Sequence, residues 1–215
     1  MALSDATSNY SGSGHGYISS ADAKAAITQY YNDVAYHRIT PWAVNEYYVT
    51  TAHLSAFTIR QTSGDGILFP IQIPVTATIS EVNMYVNVAS SAGQTIRIAF
   101  YNMSSDGTKP GTLIADCGTI DPSSTGMKTI SGLSVTLPQG IVWGALIAVS
   151  TVATAGQGFS GGHGFLASGT VSHAAIGGAR VYTGLSTGSA PADLTSTAMA
   201  SALGGAPSLL LKRSA

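Results

Sequence analysis

Residues 81–101 read EVNMYVNVASSAGQTIRIAFY, and this stretch decides the fold class. In its first half Val82, Met84 and Val86 alternate with polar or aromatic residues, and in its second half Ile96 and Ile98 do the same. An apolar side chain at every second position is the pattern of a β-strand with one buried face. The Ser-Ala-Gly segment between the halves supplies turn residues. The stretch therefore predicts two half-buried strands joined by a tight connection.

The rest of the chain repeats this arrangement. Short runs rich in Thr, Val and Ile are separated by segments of Gly, Pro, Ser and Asp. These segments lie at residues 63–66, 91–93, 105–107, 122–126 and 138–140. Residues 140–149 (GIVWGALIAV) are too short to cross a membrane, which takes about 20 apolar residues, and they predict a buried strand centred near Trp143. The spacing predicts an all-β fold, an antiparallel, jelly-roll-like β-sandwich over residues 53–215.

The first 52 residues have a different composition and predict an N-terminal arm. Residues 1–16 are rich in Ser, Gly and Asn. Ile27, Tyr30, Tyr31 and Val34 follow at helical spacing, which predicts one short helix near residues 20–36. The dipeptide Thr-Pro at 40–41 ends that helix.

The arm is also the aromatic part of the chain, since seven of the ten tyrosines fall in its first 48 residues. Large, rigid and amphipathic side chains favour interfaces. We therefore expect the arm to contact the particle or another subunit. The interface candidates are Tyr17, Ile27, Tyr30, Tyr31, Val34 and Trp42. The alternative is that the helix packs on this chain's own sandwich.

Residues 156–205 are dominated by Gly, Ala, Ser and Thr and allow two interpretations. One is a linker or a disordered tail. The other is a long ordered connection that returns to a last strand within residues 207–212, as a Greek key requires. We favour the ordered connection.

Charge and hydropathy exclude several classes of partner. The chain has 215 residues, 9 % of them charged, and a formal net charge of -1. Nine scattered basic residues do not form the patch that nucleic acid needs. The sequence has neither an apolar run long enough for a membrane nor the pattern of a secretory signal at its start. We expect no nucleic-acid or membrane partner, and synthesis in the cytosol.

No motif in the sequence predicts catalysis, a cofactor or a metal site. The G-x-S-x-G pattern at 158–162 and 184–188 resembles a hydrolase nucleophile elbow, but no acid and histidine follow in the required order. The lone Cys117 has no neighbouring base and is expected to be a small core residue. No two of the five histidines have metal-ligand spacing. The alternative left open is a metal held on a three-fold axis by three copies of His163 or His173.

A set of ordered motifs makes residues 55–215 resemble a β-sandwich domain of fibre, head-fibre and decoration proteins of tailed bacteriophages. The motifs are IAFYN at 98–102, PGTLIAD at 110–116, GTI at 118–120, SSTG at 123–126, LPQGIVWGA at 137–145 and PSLLLKR at 207–213. The resemblance implies a non-enzymatic structural protein on the virion surface. It also implies a homotrimer attached to capsid, neck or tail proteins, here through the arm.

The same resemblance allows a second function, that of a receptor-binding tail-fibre tip that recognises host glycans. Exposed aromatic side chains in the looser loops would then stack on sugars. The candidates for that loop are Phe165 and Tyr182. The absence of heptads and of repeats favours a short, close-fitting appendage over a long fibre.

Overall fold

A computed structural model describes residues 42–50, 55–160, 179–203 and 205–215. The chain divides into two compact units, Met1–Trp42 and Ala43–Ala215. The described residues form strands, turns and loops and contain no helix, which confirms the predicted all-β fold class. The helix predicted near residues 20–36 lies outside the described residues.

The second unit is built from two antiparallel sheets. In chain order the strands are β1 (Tyr47–Val49), β2 (Ser55–Gln61), β3 (Gly66–Ile73), β4 (Ala77–Val88), β5 (Ile96–Met103), β6 (Pro110–Ile120), β7 (Gly126–Leu137), β8 (Gly140–Ala148), β9 (Val152–Ser160), β10 (Ala179–Tyr182), β11 (Met199–Leu203), β12 (Gly205–Pro207) and β13 (Leu210–Arg213). Sheet A has the order β1-β13-β4-β9-β12, with β2 paired to β9 and β7 paired to β4. Sheet B has the order β11-β10-β3-β8-β5-β6. The predicted β-sandwich is confirmed at this level.

Apolar side chains from both sheets form the layer between them. On β4, Val82, Met84 and Val86 are buried at every second position, as the alternation in the sequence predicts. On β3, Phe69 and Ile71 are equally buried. Burial of apolar surface at roughly 25 cal/mol per Å² is the main favourable contribution to folding. The core between the sheets therefore fixes which face of each strand turns inward.

Sheet B is also buried on its outer face. Trp143 lies in β8, the strand between β3 and β5, and is 0 % exposed, which confirms the predicted central strand. Its cluster lies on the strand face that alternates with the inter-sheet face. The buried members are Leu68, Ala99, Tyr101, Trp143, Ala145, Ile147, Tyr182, Leu185, Ala190 and Leu194, with Met103 and Leu113 packed against them.

The cover over that cluster is the segment 183–198, which connects β10 to β11 and is called the strap below. Leu185, Ala190 and Leu194 are its buried residues. Asp193 forms an isolated antiparallel bridge with Thr112 of β6. The ordered interpretation is confirmed for this part of residues 156–205, and a last strand near 207–212 is confirmed as β13. Residues 161–178 lie outside the described part.

The sandwich begins earlier than predicted. Residues 47–49 were predicted to belong to the arm, but they form β1 and pair antiparallel with β13, Tyr47 opposite Lys212 and Val49 opposite Leu210. The N–H of Asn45 also donates to the carbonyl of Arg213 at 2.7 Å. The aromatic composition of this segment did not indicate a strand, and the strand that pairs with it lies at the other end of the chain.

The five predicted turn segments all connect strands. Gly140, at the start of β8, has φ +114°, a conformation that other residues rarely adopt, and so glycine is needed after the Pro-Gln turn. The Ser-Asp-Gly turn between β5 and β6 is held by Ser104 Oγ, which lies 2.6 Å from a carboxylate oxygen of Asp106. Among the described residues, no helix is long and apolar enough to span a membrane.

Candidate interaction surface

Most of the predicted interface residues lie outside the part of the chain that the structure describes. These are Tyr17, Ile27, Tyr30, Tyr31 and Val34, and the five histidines share that position. Trp42 is described and is 3 % exposed within the single chain. Its place in a contact with the particle or another subunit stays a prediction.

Only one of the two residues predicted for a glycan-binding loop lies in the described part of the chain. Phe165 lies outside the described residues. Tyr182 is at the end of β10, opposite Gly66 of β3, and is 1 % exposed within the cluster on sheet B. The prediction that Tyr182 is an exposed loop residue is wrong, because pairing with β3 turns its ring under the strap.

The exposed aromatic residues lie instead on the outer face of sheet A. Tyr47, Lys212 and Glu81 are aligned across β1, β13 and β4 by the strand register. Tyr47 Oη donates to Glu81 Oε2 at 2.7 Å, and Lys212 Nζ donates to Glu81 Oε1 at 2.9 Å. Lys212 Nζ also lies 5.7 Å from the centroid of the Tyr47 ring, within the range of a cation–π contact. The three side chains hold one another in place, and we call them the Tyr47 network.

Each titratable group in the Tyr47 network has its pKa shifted in the direction its partners impose. The hydrogen bond from Lys212, followed by that from Tyr47, lowers the pKa of Glu81. The hydrogen bond to Glu81 raises the pKa of Tyr47 and likewise that of Lys212. Glu81 and Lys212 therefore stay charged, and the Tyr47 phenol stays neutral, over the whole physiological pH range. The network presents no net charge to a partner.

Large apolar side chains surround this network on the same face. Tyr47 is 49 % exposed and Val49, two residues along β1, is 38 % exposed. Tyr85 of β4 and Met127 of β7 are directly opposite each other and are 38 % and 49 % exposed. Exposed apolar groups gathered on one face mark an interaction surface more often than scattered ones do.

The polar groups between these side chains are fixed by hydrogen bonds. Asn83 is only 3 % exposed, and its amide is held by Thr129 Oγ1 at 2.5 Å and by the carbonyl of Leu210 at 3.4 Å. Nearer the end of the sheet, the hydroxyls of Thr78 and Thr136 lie 3.1 Å apart. The outer face of sheet A is thus preorganised, and a partner would meet few side chains that must be reordered.

The strap on sheet B is held by a second polar group. Arg97 Nη1 lies 2.7 Å from Asp116 Oδ2, with the side chains 13 % and 24 % exposed. The N–H of Ala190 donates to the same carboxylate at 2.9 Å, and Arg97 Nη2 donates to the carbonyl of Gly188 at 3.0 Å. Burial alone would raise the pKa of Asp116, but the hydrogen bonds from Ala190, Arg97 and Gly118 outweigh it and lower the pKa. These groups fasten the strap to sheet B.

The described residues contain no group of three or more His, Cys, Asp or Glu that could hold a metal ion. Cys117 is 5 % exposed, as expected of a core residue, and burial together with the Asp116 charge raises the pKa of its thiol to about 12. The thiol is therefore protonated at neutral pH and a poor nucleophile. His163 and His173 lie outside the described residues.

No known protein-family model matches the chain, and no curated protein matches it in sequence. The site is therefore defined by geometry alone. The alternation in the sequence places Tyr85 on the outer side of β4, so one residue of this surface could be predicted. The Tyr47 network could not be predicted, because the alignment of Tyr47 with Glu81 depends on pairing between the first and last strands.

Proposed function

We propose that this protein is a non-enzymatic structural protein on the surface of a tailed-phage virion. In this proposal it is a homotrimeric head fibre, spike or decoration protein that contacts capsid, neck or tail proteins. The sandwich is jelly-roll-like, and the segment before it carries a short helix near residues 20–36 and attaches the protein to the particle. The ordered motifs of residues 98–145 support this proposal, since their resemblance is to such proteins.

The observation that carries the proposal is the outer face of sheet A. Tyr47, Val49, Tyr85 and Met127 leave substantial apolar surface open there, around a network that is already hydrogen-bonded. The central strands of sheet B, by contrast, are buried on both faces within the chain. In this sandwich the centre of one sheet is covered within the chain, while the other sheet presents a preorganised apolar face. Such an arrangement suits a module that is fixed onto a larger assembly.

The attachment experiment uses the full-length chain, because β1 is part of sheet A and a chain starting at residue 53 would lack it. Particles produced without this protein are incubated with the wild type, with Tyr30→Ser/Tyr31→Ser, and with the control Met199→Ser, which changes an exposed residue of β11 in sheet B. We expect the arm variant to lose particle binding at least tenfold while its unfolding transition stays unchanged. Binding equal to that of the wild type would contradict attachment by the arm.

The alternative function is a receptor-binding tip that recognises host glycans, and one observation favours it. Tyr47 and Tyr85 are exposed on one sheet face beside the balanced charges of Glu81 and Lys212, and aromatic rings of this kind stack on the apolar faces of sugars. Cell binding distinguishes the two functions. Loss of host-cell binding in Tyr47→Ser/Tyr85→Ser, with particle binding retained, would support the glycan receptor function over the decoration function.

A further inference from the structure

Strand β7 has an open edge. It is twelve residues long and pairs with β4 from Gly126 opposite Val86 to Leu137 opposite Ala77. No other described strand pairs with it. Leu137 is its only buried residue, whereas β4 beside it has six. The N–H and C=O groups along the outer edge of β7 are therefore a template for another chain.

The other long edge strand, β6, shows how this fold covers an edge. It precedes β7 in the chain and lies at the end of sheet B. The strap runs along it, with the N–H of Leu113 donating to the carbonyl of Ala192 at 2.9 Å and the N–H of Leu194 donating to that of Gly111 at 3.0 Å. At the ends of sheet A, β1 and β12 are only three residues long. Strand β2 has seven residues and pairs only with β9, and β7, with twelve residues, is the longest described edge without such a cover.

The sequence of β7 protects it only in part, with one charge near its start and one register shift in its second half. Soluble proteins commonly guard an edge with charges, prolines or bulges. Lys128 is its one charged residue, and its Nζ lies 2.5 Å from Ser124 Oγ at the start of the strand. A register shift in the pairing with β4, near Gly132 at φ +73°, is the only irregularity. Residues 129–137 contain no charge and no proline, so two copies can approach there without like-charge repulsion.

The side of the sandwich at this edge is large enough for a stable contact, and three apolar residues of β7 remain partly exposed there. Ile130, Leu133 and Val135 are only half-buried. Twelve residues at about 3.4 Å each give a strip about 40 Å long, and two sheets about 10 Å apart with their side chains give a width of about 20 Å. The strip is then about 800 Å², which is what one partner contributes to a standard interface.

We propose that β7 and its half-buried residues Ile130, Leu133 and Val135 are the contact between copies of this chain. A second copy of the chain is the occupant, and in the proposed homotrimer the three β7 strands lie around the three-fold axis and meet through these side chains. The number three rests on the proposed function, whereas the position of the contact rests on the long open edge and the partly exposed side chains beside it. Packing there removes these side chains from water.

The test measures the mass of the full-length protein by sedimentation velocity. Ser131→Lys/Ser134→Lys adds two charges at exposed positions of β7, and Ser186→Lys/Ser189→Lys adds the same charges at exposed positions of the strap. We expect the wild type and the strap variant to form the same oligomer, and the β7 variant to dissociate with at least a tenfold higher dissociation constant. All three should keep the same thermal transition at concentrations where they are monomeric.

Cross-linking gives an independent measurement that does not require the contact between copies to be weakened. Cys117 is buried, so Ser134→Cys adds a single accessible thiol. With diamide as oxidant we expect it to form a disulfide-linked dimer, while Ser186→Cys remains a monomer on a denaturing gel. A monomeric wild type, or an oligomer that both β7 variants leave unchanged and uncross-linked, would overturn the inference. If β7 controls the oligomer but the protein never joins particles, the inference stands and the proposed virion function fails.

Discussion

Arg97 and Asp116 join two neighbouring strands to the strap that covers them. Arg97 Nη1 lies 2.9 and 2.7 Å from the two carboxylate oxygens of Asp116, and Arg97 Nη2 reaches the carbonyl of Gly188. The same carboxylate accepts the N–H of Ala190. One ion pair thus fixes both the edge of sheet B and the middle of the strap, so removal of either member should loosen a segment that is remote in sequence.

The first prediction concerns the pH dependence of the strap. The pKa of Asp116 is lowered in the folded protein, so its contribution to stability is complete above the ordinary aspartate pKa of about 3.9. That contribution is lost as the pH falls through the lower folded value. We expect Asp116→Asn to cost about 1–2 kcal/mol at pH 7, and the difference from the wild type to shrink towards zero in acid.

Denaturant unfolding of both proteins between pH 7 and pH 2 measures this difference. Asp121→Asn is the control, since the pKa of Asp121 is also lowered, but by contacts with Ser123 in the surface turn between β6 and β7. Hydrogen exchange of the Ala190 N–H should become faster in Asp116→Asn and stay unchanged in the control. A pH-independent difference between wild type and Asp116→Asn would contradict the role of the ion pair.

The second prediction concerns the centre of sheet B. Trp143 is fully buried in β8, its Nε1 lies 3.2 Å from Met103 Sδ, and Arg180 lies 5.4 Å from its ring centroid. Trp143→Ala removes the largest side chain of the cluster and leaves a cavity that the sheet cannot close. We expect a loss of about 3–5 kcal/mol in the free energy of unfolding, measured in urea. A loss below about 1 kcal/mol would contradict its central position.

The strands and turns could be predicted from the sequence because they depend on local patterns. Alternation at Val82, Met84 and Val86 gave the inner face of β4, and the apolar run around Trp143 gave β8. What the sequence did not reveal depends on contacts between distant segments. Tyr182 is buried because β10 pairs with β3, which lies more than a hundred residues earlier in the chain. A strand of only four residues carries no local signal for that pairing.

In the candidate surface, too, local patterns could be predicted and contacts between distant strands could not. Tyr85 could be placed on the outer side of its strand by alternation alone. The alignment of Tyr47 with Glu81 needs the register of β1, β13 and β4, which no local pattern specifies. The aromatic content near the start of the chain assigned Tyr47 to the arm, because the three residues of β1 are too few to show a period of two.

The third prediction tests the close packing of the two core strands β3 and β8. A Cβ atom at Gly144 would lie 2.7 Å from Ile71 Cδ1 and 3.0 Å from Phe69 Cζ, both fully buried side chains. We expect Gly144→Ala to lower the free energy of unfolding by about 1–3 kcal/mol, as overpacking does. Gly188→Ala is the matched control, because nothing lies within 4 Å of its added atom. Equal thermal transitions for the two variants would contradict the packing between Phe69, Ile71 and β8.

The last prediction compares two tyrosine hydroxyls. Tyr101 is 0 % exposed and its Oη has no hydrogen-bond partner in the described structure, while burial raises its pKa. Tyr48 Oη donates to the carbonyl of Gln72 at 2.8 Å. A buried hydroxyl without a partner costs free energy, whereas a hydrogen-bonded one contributes about 0.5–1.5 kcal/mol. We therefore expect Tyr101→Phe to leave the free energy of unfolding unchanged or to raise it by up to about 1 kcal/mol, and Tyr48→Phe to lower it by about 1 kcal/mol. Urea unfolding of both variants beside the wild type measures the difference, and a larger loss in Tyr101→Phe than in Tyr48→Phe would mean that the Tyr101 hydroxyl has a partner in solution.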